Sequence, residues 1–137
     1  MIIPTTYTAA RAWIKDRRGE IYTPTGKHYA VAVESEAGEM LAAVILSKPD
    51  APRYHFLRDG RTLEALAAFT DRETDGAEIY QAAARLCFAL GYARIVTYSG
   101  PGDNRTADAL RLAGFTKAGR DHTRARLRWI KERGPEE

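Results

Sequence analysis

The pattern that most constrains the fold is an amphipathic segment followed closely by a short β-branched run. Within Ala77–Leu90 (AEIYQAAARLCFAL), apolar residues recur three and four positions apart from Ile79 onwards, which predicts a helix with one apolar face. Gly91 ends this helix, and Arg94–Tyr98 (RIVTY) has the composition of a buried strand. A helix that leads directly into a buried strand indicates an α/β protein built around a central sheet.

The other segments complete one mixed sheet with flanking helices. His28–Glu34 and Met40–Leu46 are apolar runs separated by turn residues and predict an antiparallel hairpin. The pattern of Arg61–Thr70 (RTLEALAAFT) leaves a helix and a buried strand open. The remaining predictions are a helix over Thr8–Arg18 capped by Thr8, a helix over Asn104–Ala113 capped by Asn104, and a closing strand pair, Phe115–Gly119 with Arg124–Ile130.

Length and composition narrow the class of protein. The 137 residues predict a single domain over 1–133 with a frayed tail at 134–137. Average apolar and charged fractions exclude collagen-like and wholly disordered chains, and no apolar run is long enough for a membrane span. The N-terminus lacks the pattern of a secretory signal. A single cysteine, Cys87, excludes an internal disulfide and is expected in the core, so we expect a cytoplasmic protein.

Three places in the chain, among them the loop Arg72–Ala77, resemble the GNAT superfamily of acyl-CoA-dependent N-acetyltransferases. The segment Asn104–Phe115 (NRTADALRLAGF) is similar to the family's helix with Asn, then Ala, Leu and a terminal Gly-Phe, and Ala77–Tyr98 resembles its central helix and following strand. The chain also resembles small uncharacterised phage and prophage proteins of this superfamily, which share the GRTLE segment and a Thr-Asp loop. The resemblance spans roughly Lys27–Gly119. It implies a GNAT-like single domain, α/β (α+β), with a mixed, mainly antiparallel sheet.

The resemblance implies acetyl-CoA as cosubstrate and a site for its pyrophosphate in the loop Arg72–Ala77. Free N–H groups at a helix N-terminus bind anions, and small residues allow a phosphate to approach. The alternative for this loop is an ordinary acidic helix start, with Asp75 as N-cap. The residues that the resemblance assigns to cofactor binding are Phe69, Arg72, Gly76, Ala77 and Asn104.

Catalysis requires an amine to lose a proton and a thiolate to gain one. Glu64 stands in an apolar run, and burial would raise the pKa of its carboxyl towards a value that suits a general base; the alternative is a solvent-facing or paired residue. Tyr98, at the end of a predicted strand, is the candidate acid, with Tyr80 as another option and a packed tyrosine as the alternative. The three histidines lack metal-ligand spacing, so no metal is expected.

A run of basic residues occupies Arg120–Arg133. If Arg124, Arg126 and Arg128 belong to one strand, they share a face that could attract nucleic acid. The alternative, which the pattern favours, is a solvated edge strand whose charges deter pairing.

Three functions therefore remain open. The leading hypothesis is acetyl transfer from acetyl-CoA to an amine of a small molecule or protein, without a membrane and with a homodimer left open. The second is a nucleic-acid-modifying enzyme of the same fold. The third is a degenerate interaction or inhibitor module, because Asp75 stands where the family's loop has glycine and Arg111 where its last helix often has tyrosine.

Overall fold

The computed structural model describes residues 1–19, 26–49, 59–72, 76–121 and 125–135. These residues form one seven-stranded sheet with three helices. The elements in chain order are β1 (Ile2–Thr5), α1 (Tyr7–Arg18), β2 (His28–Glu34), β3 (Met40–Ser47), β4 (Thr62–Thr70), α2 (Gly76–Ala89), β5 (Arg94–Ser99), α3 (Asn104–Leu112), β6 (Thr116–Asp121) and β7 (Arg126–Glu132). The predicted α/β class with a mixed, mainly antiparallel sheet is confirmed.

The sheet has the order β1-β2-β3-β4-β5-β7-β6. Every neighbouring pair is antiparallel except β4 and β5, which are parallel and connected through α2. Because the sheet changes direction only here, β4 and β5 end at the same edge, and α2 and α3 begin just beyond that edge.

Two apolar clusters cover the two faces of the sheet. The larger packs α2 and α3 on one face and includes Ile79, Leu110 and Trp129. The smaller packs α1 on the other face of β2–β4 through Ala10 and Ile14. These two faces are called the α2 face and the α1 face below.

The ambiguous segment Arg61–Thr70 is a strand. It is buried and pairs with β3 on one side and with β5 on the other, and this packing outweighs the helical propensity of its Ala, Leu and Glu residues. Cys87 is fully buried in α2, as expected, and burial raises the pKa of its thiol to about 12.

Two of the three predicted helix caps were wrong, by one or two residues. The side chain that caps α1 is Thr6, which accepts a hydrogen bond from Ala9 N at 3.0 Å, and not Thr8. Asp103 and not Asn104 caps α3, accepting from Thr106 N at 3.0 Å. Asp75, the predicted cap of α2, lies outside the described residues, and β1 was not predicted.

The interpretation of the basic C-terminal segment as a solvated edge was also wrong. The strand β7 lies inside the sheet, between β5 and β6, and Arg128 on it is only 8% exposed. Arg126 and Arg128 share a face as expected, whereas Arg124 lies outside the described residues. Because β7 is not a solvated basic stripe, the structure gives the nucleic-acid hypothesis no support.

Candidate active site

The parallel strands β4 and β5 separate along their length. They pair only over their first three residues, Thr62–Glu64 with Arg94–Val96. The next link is a side chain: Thr97 Oγ1 donates to the carbonyl oxygen of Ala65 at 3.0 Å. Beyond it, β4 continues to Thr70 and, of the described strands, only β3 pairs with it there, so β4 and β5 form a V that opens towards the start of α2 and α3.

A β-bulge lies at the point where the strands separate. In the register with β3, Ile45 is opposite Ala67 and Leu46 is opposite Ala65, which leaves Leu66 as an extra residue in β4. The bulge reverses the alternation of faces, because Ala65 packs in the α2-face cluster and Ala67 in the α1-face cluster. Bulges bend strands and are frequent beside active sites.

Polar contacts hold the closed end of the V. Asp59 Oδ1 accepts from Arg61 N at 2.8 Å and from Thr62 Oγ1 at 3.1 Å, and Asp59 Oδ2 lies 3.4 Å from Arg94 Nη1. Arg94 Nε also donates to Glu132 at 2.9 Å, which ties β5 to β7. Burial alone would raise the pKa of Asp59, but these hydrogen bonds and the Arg94 charge lower it below the ordinary value.

The open part of the V is a cleft of about 540 Å³. Its lining combines the diverging strands with the first turns of two helices and the end of α1. The lining residues are Arg18, Glu64–Thr70, Gly76, Tyr80, Thr97, Tyr98, Gly100, Asp103, Arg105, Thr106, Ala109 and Arg126.

The open end of the cleft is suited to anions. The N-terminus of α2 points at it, and Gly76 there lies so close to α3 that an added Cβ would stand 3.0 Å from Ala109 Cβ. Two arginines reach β4 at this end: Arg105 Nη2 donates to Thr70 Oγ1 at 3.2 Å, and Arg18 Nη1 lies 3.4 Å from the carbonyl oxygen of Ala68. Helix termini and guanidinium groups together favour phosphate.

Glu64 lies at the closed end, on the last residue of β4 that pairs with β5. It is 9% exposed and lines the cleft. The adjacent Val96 is fully buried on the same face. A carboxylate at the apex of the V is in a position to accept a proton from a group bound in the cleft.

Tyr98 lies two residues beyond Val96 on β5, half-buried and also lining the cleft. The guanidinium carbon of Arg126 lies 4.1 Å from the centre of its ring. Arg128, directly opposite Tyr98 in the register, reaches the Ala118 carbonyl oxygen at 3.5 Å. Tyr98 therefore lies on the α1 face, with its ring against the guanidinium of Arg126.

Tyr80 lines the opposite wall of the cleft from α2. Its ring packs edge-on against Phe115 at 6.1 Å and is 9% exposed. Burial raises the pKa of its phenol to about 12, with Arg18 lowering and Asp103 raising it further. The phenol is therefore a proton donor throughout the neutral range.

The structure brings together four of the seven predicted site residues. Glu64, Phe69, Gly76 and Tyr98 line the cleft, with Phe69 packed edge-on against Trp13 of α1 at 5.9 Å. The other three, Arg72, Ala77 and Asn104, are described but are not among the lining residues; Arg72 and Asn104 are exposed.

Sequence reasoning missed several lining residues. Arg18 and Arg105 come from helices whose ends meet the cleft only in the folded chain. The cap Asp103 and its partner Thr106 had a local signal, because an acidic residue three positions before a threonine at a helix start is a common capping pattern. In the sequence, Arg126 is one member of the basic run Arg120–Arg133, and nothing distinguishes it from the others.

Solved structures of acetyltransferases match this architecture. The aminoglycoside acetyltransferase solved in complex with coenzyme A matches with a TM-score of 0.71, at 13% identity over 97% of this chain and 94% of that chain. A spermidine N-acetyltransferase mutant from Vibrio cholerae matches with a TM-score of 0.70, at 11% identity over 96% and 94%. The GNAT domain of PAT from S. lividans matches with a TM-score of 0.67, at 14% identity over 96% and 89%.

The chain has the GNAT fold. This confirms the fold that the sequence resemblance implied. No protein-family model and no curated protein sequence matches the chain. At these identities the likeness concerns the fold, so the chemistry of this GNAT fold has to be argued from its own cleft.

The described part of this GNAT fold has neither a candidate membrane-spanning helix nor a candidate group of metal ligands. None of its helices is long and apolar enough to cross a membrane. No group of three or more His, Cys, Asp or Glu side chains among the same residues is arranged to hold a metal ion. His28 instead stacks on Tyr7, with ring centres 4.0 Å apart, while His55 and His122 lie outside the described residues.

Proposed function

We propose that the chain is an N-acetyltransferase that transfers the acetyl group of acetyl-CoA to an amine. The observation that carries the proposal is the V between β4 and β5, with an anion-binding end at the helix starts and a carboxylate at its apex. The related folds include enzymes named for amine substrates and one solved with coenzyme A, which supports the reaction class.

The residues of the cleft fit coenzyme A. Within the described part of the chain, no strand pairs with the β5 side of β4 from Leu66 to Thr70, so backbone groups on that side can bond an extended amide-bearing arm as a neighbouring strand would. Gly76, the α2 N-terminus and the two arginines Arg18 and Arg105 supply a site for pyrophosphate. When bound, acetyl-CoA supplies the acetyl group as an activated thioester.

Glu64 and Tyr98 each carry out one of the two proton transfers that acetyl transfer requires. Glu64 accepts the proton that the amine must lose to become nucleophilic, directly or through a water. Tyr98 donates a proton to the departing thiolate, and the arginine stacked on its ring holds the phenol in place. Tyr80, on the other wall, is the alternative donor.

The test is steady-state release of free thiol from acetyl-CoA with a panel of amines, comparing the wild type with Glu64→Gln. Loss of the base should lower kcat by about 10²-fold or more, while acetyl-CoA still binds. Glu36→Gln, the same change on the exposed β2–β3 turn, is the matched control and should retain full activity. Equal rates for the two variants would contradict the role of Glu64, and no turnover of any amine would contradict the proposed function.

Tyr98→Phe and Tyr80→Phe in the same assay decide between the two proton donors. We expect Tyr98→Phe to lower kcat with little change in the KM for acetyl-CoA, because only the departing thiolate needs the proton. A larger loss of kcat in Tyr80→Phe would assign the proton to Tyr80.

A further inference from the structure

The end of α1 is fastened to the end of β4 by three side chains that the proposed reaction does not use. Arg17 Nε donates to Asp71 Oδ1 at 3.1 Å, and the carbon of the same guanidinium lies 4.1 Å from the centre of the Trp13 ring. Trp13 in turn packs edge-on against Phe69 of β4, with ring centres 5.9 Å apart. The group formed by Trp13, Arg17 and Asp71 is called the α1–β4 clamp below.

Both sides of the α1–β4 clamp are anchored in the fold. Asp71 N donates to the carbonyl oxygen of Leu41 at 2.8 Å, so the residue that follows β4 is held by β3. Arg17 Nη1 lies 3.3 Å from the carbonyl oxygen of Trp13, one turn earlier in α1. The ion pair joins two partly exposed side chains, and such pairs add little to stability. Its main effect is therefore geometric, because it fixes the position of the last turn of α1.

The last residue of α1 is Arg18, which directly follows the arginine of the clamp. Arg18 lines the cleft, and its Nη1 lies 3.4 Å from the carbonyl oxygen of Ala68 in the open half of β4. Its charge also reaches the Tyr80 phenol on α2, where it opposes the rise in pKa that burial causes. Tyr80 is four residues after Gly76, on the same side of α2. The guanidinium of Arg18 is therefore close to the helix start that supplies the proposed phosphate site.

Charge alone gives the opposite expectation for Asp71. This residue directly follows Thr70, which lines the anion-binding end of the cleft. A negative charge there repels an anionic ligand, so its removal should strengthen the binding of CoA if charge were all that mattered. If Asp71 acts through the position of Arg18, its removal should weaken binding. The two effects have opposite signs, so one affinity measurement distinguishes them.

We propose that Arg17 and Asp71 are positioning residues, which hold the last turn of α1 so that Arg18 meets the pyrophosphate of CoA in the cleft. The proposal rests on the proposed function and deepens it, because it assigns the α1–β4 clamp to the same site. Neither positioning residue is among the described residues that line the cleft, so both act through Arg18.

The experiment is calorimetric titration of CoA into the wild type, Asp71→Ala and Asp108→Ala. We expect Asp71→Ala to raise the Kd for CoA about fivefold or more, although it removes a negative charge. Asp108→Ala is the matched control: its carboxylate also pairs with an arginine, Arg111, at 3.1 Å, but does not line the cleft. This control should bind CoA at least as tightly as the wild type.

A double-mutant cycle tests whether the clamp acts through Arg18. Arg18→Met should itself weaken binding, and in this background Asp71→Ala should no longer raise the Kd for CoA. In steady-state assays Asp71→Ala should raise the KM for acetyl-CoA and leave kcat within about twofold, because the clamp does not contact the reacting atoms. Circular dichroism and thermal denaturation show whether each variant is folded.

Arg17→Lys provides a second variant in case Asp71→Ala does not fold. Lysine keeps the charge but lacks the planar guanidinium that stacks on Trp13, so it should also weaken the binding of CoA, and only when Arg18 is present.

Three results would overturn the proposal for the clamp. These are a Kd for CoA that is unchanged or lower in folded Asp71→Ala, an equal weakening with and without Arg18, and wild-type affinity in Arg18→Met. If Asp71→Ala is unfolded, wild-type affinity in Arg17→Lys overturns it instead. A wild type that binds no CoA would overturn the proposed function itself.

Discussion

At the scale of single residues, the cleft is defined by side chains whose surroundings change their chemistry. Tyr80 is an example, because its phenol is buried between α2 and the α3 region and its pKa is raised from 10.0 to about 12. A raised pKa means that the folded protein holds this proton more tightly than the unfolded chain does.

The Tyr80 phenol should therefore make stability depend on alkaline pH. Its contribution is complete below pH 10 and is lost as pH rises towards about 12, because the unfolded chain releases the proton first. By pH 11 we expect wild type to have lost about 1 kcal/mol of unfolding free energy more than Tyr80→Phe, relative to pH 9. Urea denaturation of both proteins at the two pH values measures the difference. Parallel losses would show that Tyr80 is not the group involved.

A residue of the cleft could be predicted from the sequence where its polarity differed sharply from that of its neighbours. Glu64 stood out as a carboxylate within an apolar run, and it lies in the cleft. The caps failed because Thr5, Thr6 and Thr8 are chemically alike, as are Asp103 and Asn104, and only backbone geometry decides which side chain reaches the free N–H group.

At the scale of elements, β4 shows why local pattern was insufficient. Its residues favour a helix by propensity, but the segment is stabilised as a strand by β3 along its whole length and by β5 at its start. The bulge at Leu66 could not be recognised in the sequence. Because it reverses which residues face each side of the sheet, LEALAAF shows no regular alternation of apolar and polar residues. The basic strand β7 was placed at an edge because nothing local reveals the order of strands.

The approach of α2 to α3 depends on Gly76. An added Cβ there would stand 3.0 Å from Ala109 Cβ, so Gly76→Val must push the start of α2 away from α3. We expect a loss of about 1–3 kcal/mol in unfolding free energy and a weaker affinity for acetyl-CoA, because the displaced N–H groups belong to the proposed phosphate site.

Denaturation and calorimetric titration of Gly76→Val measure both effects. Gly100→Ala is the matched control for stability, because its Cβ would meet open space. Gly76→Val with wild-type stability and affinity would contradict the close packing of the α2 start against α3.

At the scale of the whole molecule, one change of strand direction produces the site. Because β4 and β5 are the only parallel pair among the described strands, their ends and the following helix starts meet at one edge, where the strands can separate. The sequence resemblance implied the mixed sheet with its flanking helices, since it concerned the order of elements more than individual residues. It could not predict which arginines complete the cleft, because Arg18, Arg105 and Arg126 come from three distant segments.

The central claim is that the V between β4 and β5 binds acetyl-CoA. A crystal structure grown with acetyl-CoA tests it most directly. The account predicts the amide-bearing arm between Leu66–Thr70 of β4 and Thr97–Ser99 of β5, with the pyrophosphate at the α2 start beside Gly76. Acetyl-CoA bound at another surface, or an empty V in crystals grown with millimolar acetyl-CoA, would contradict the account.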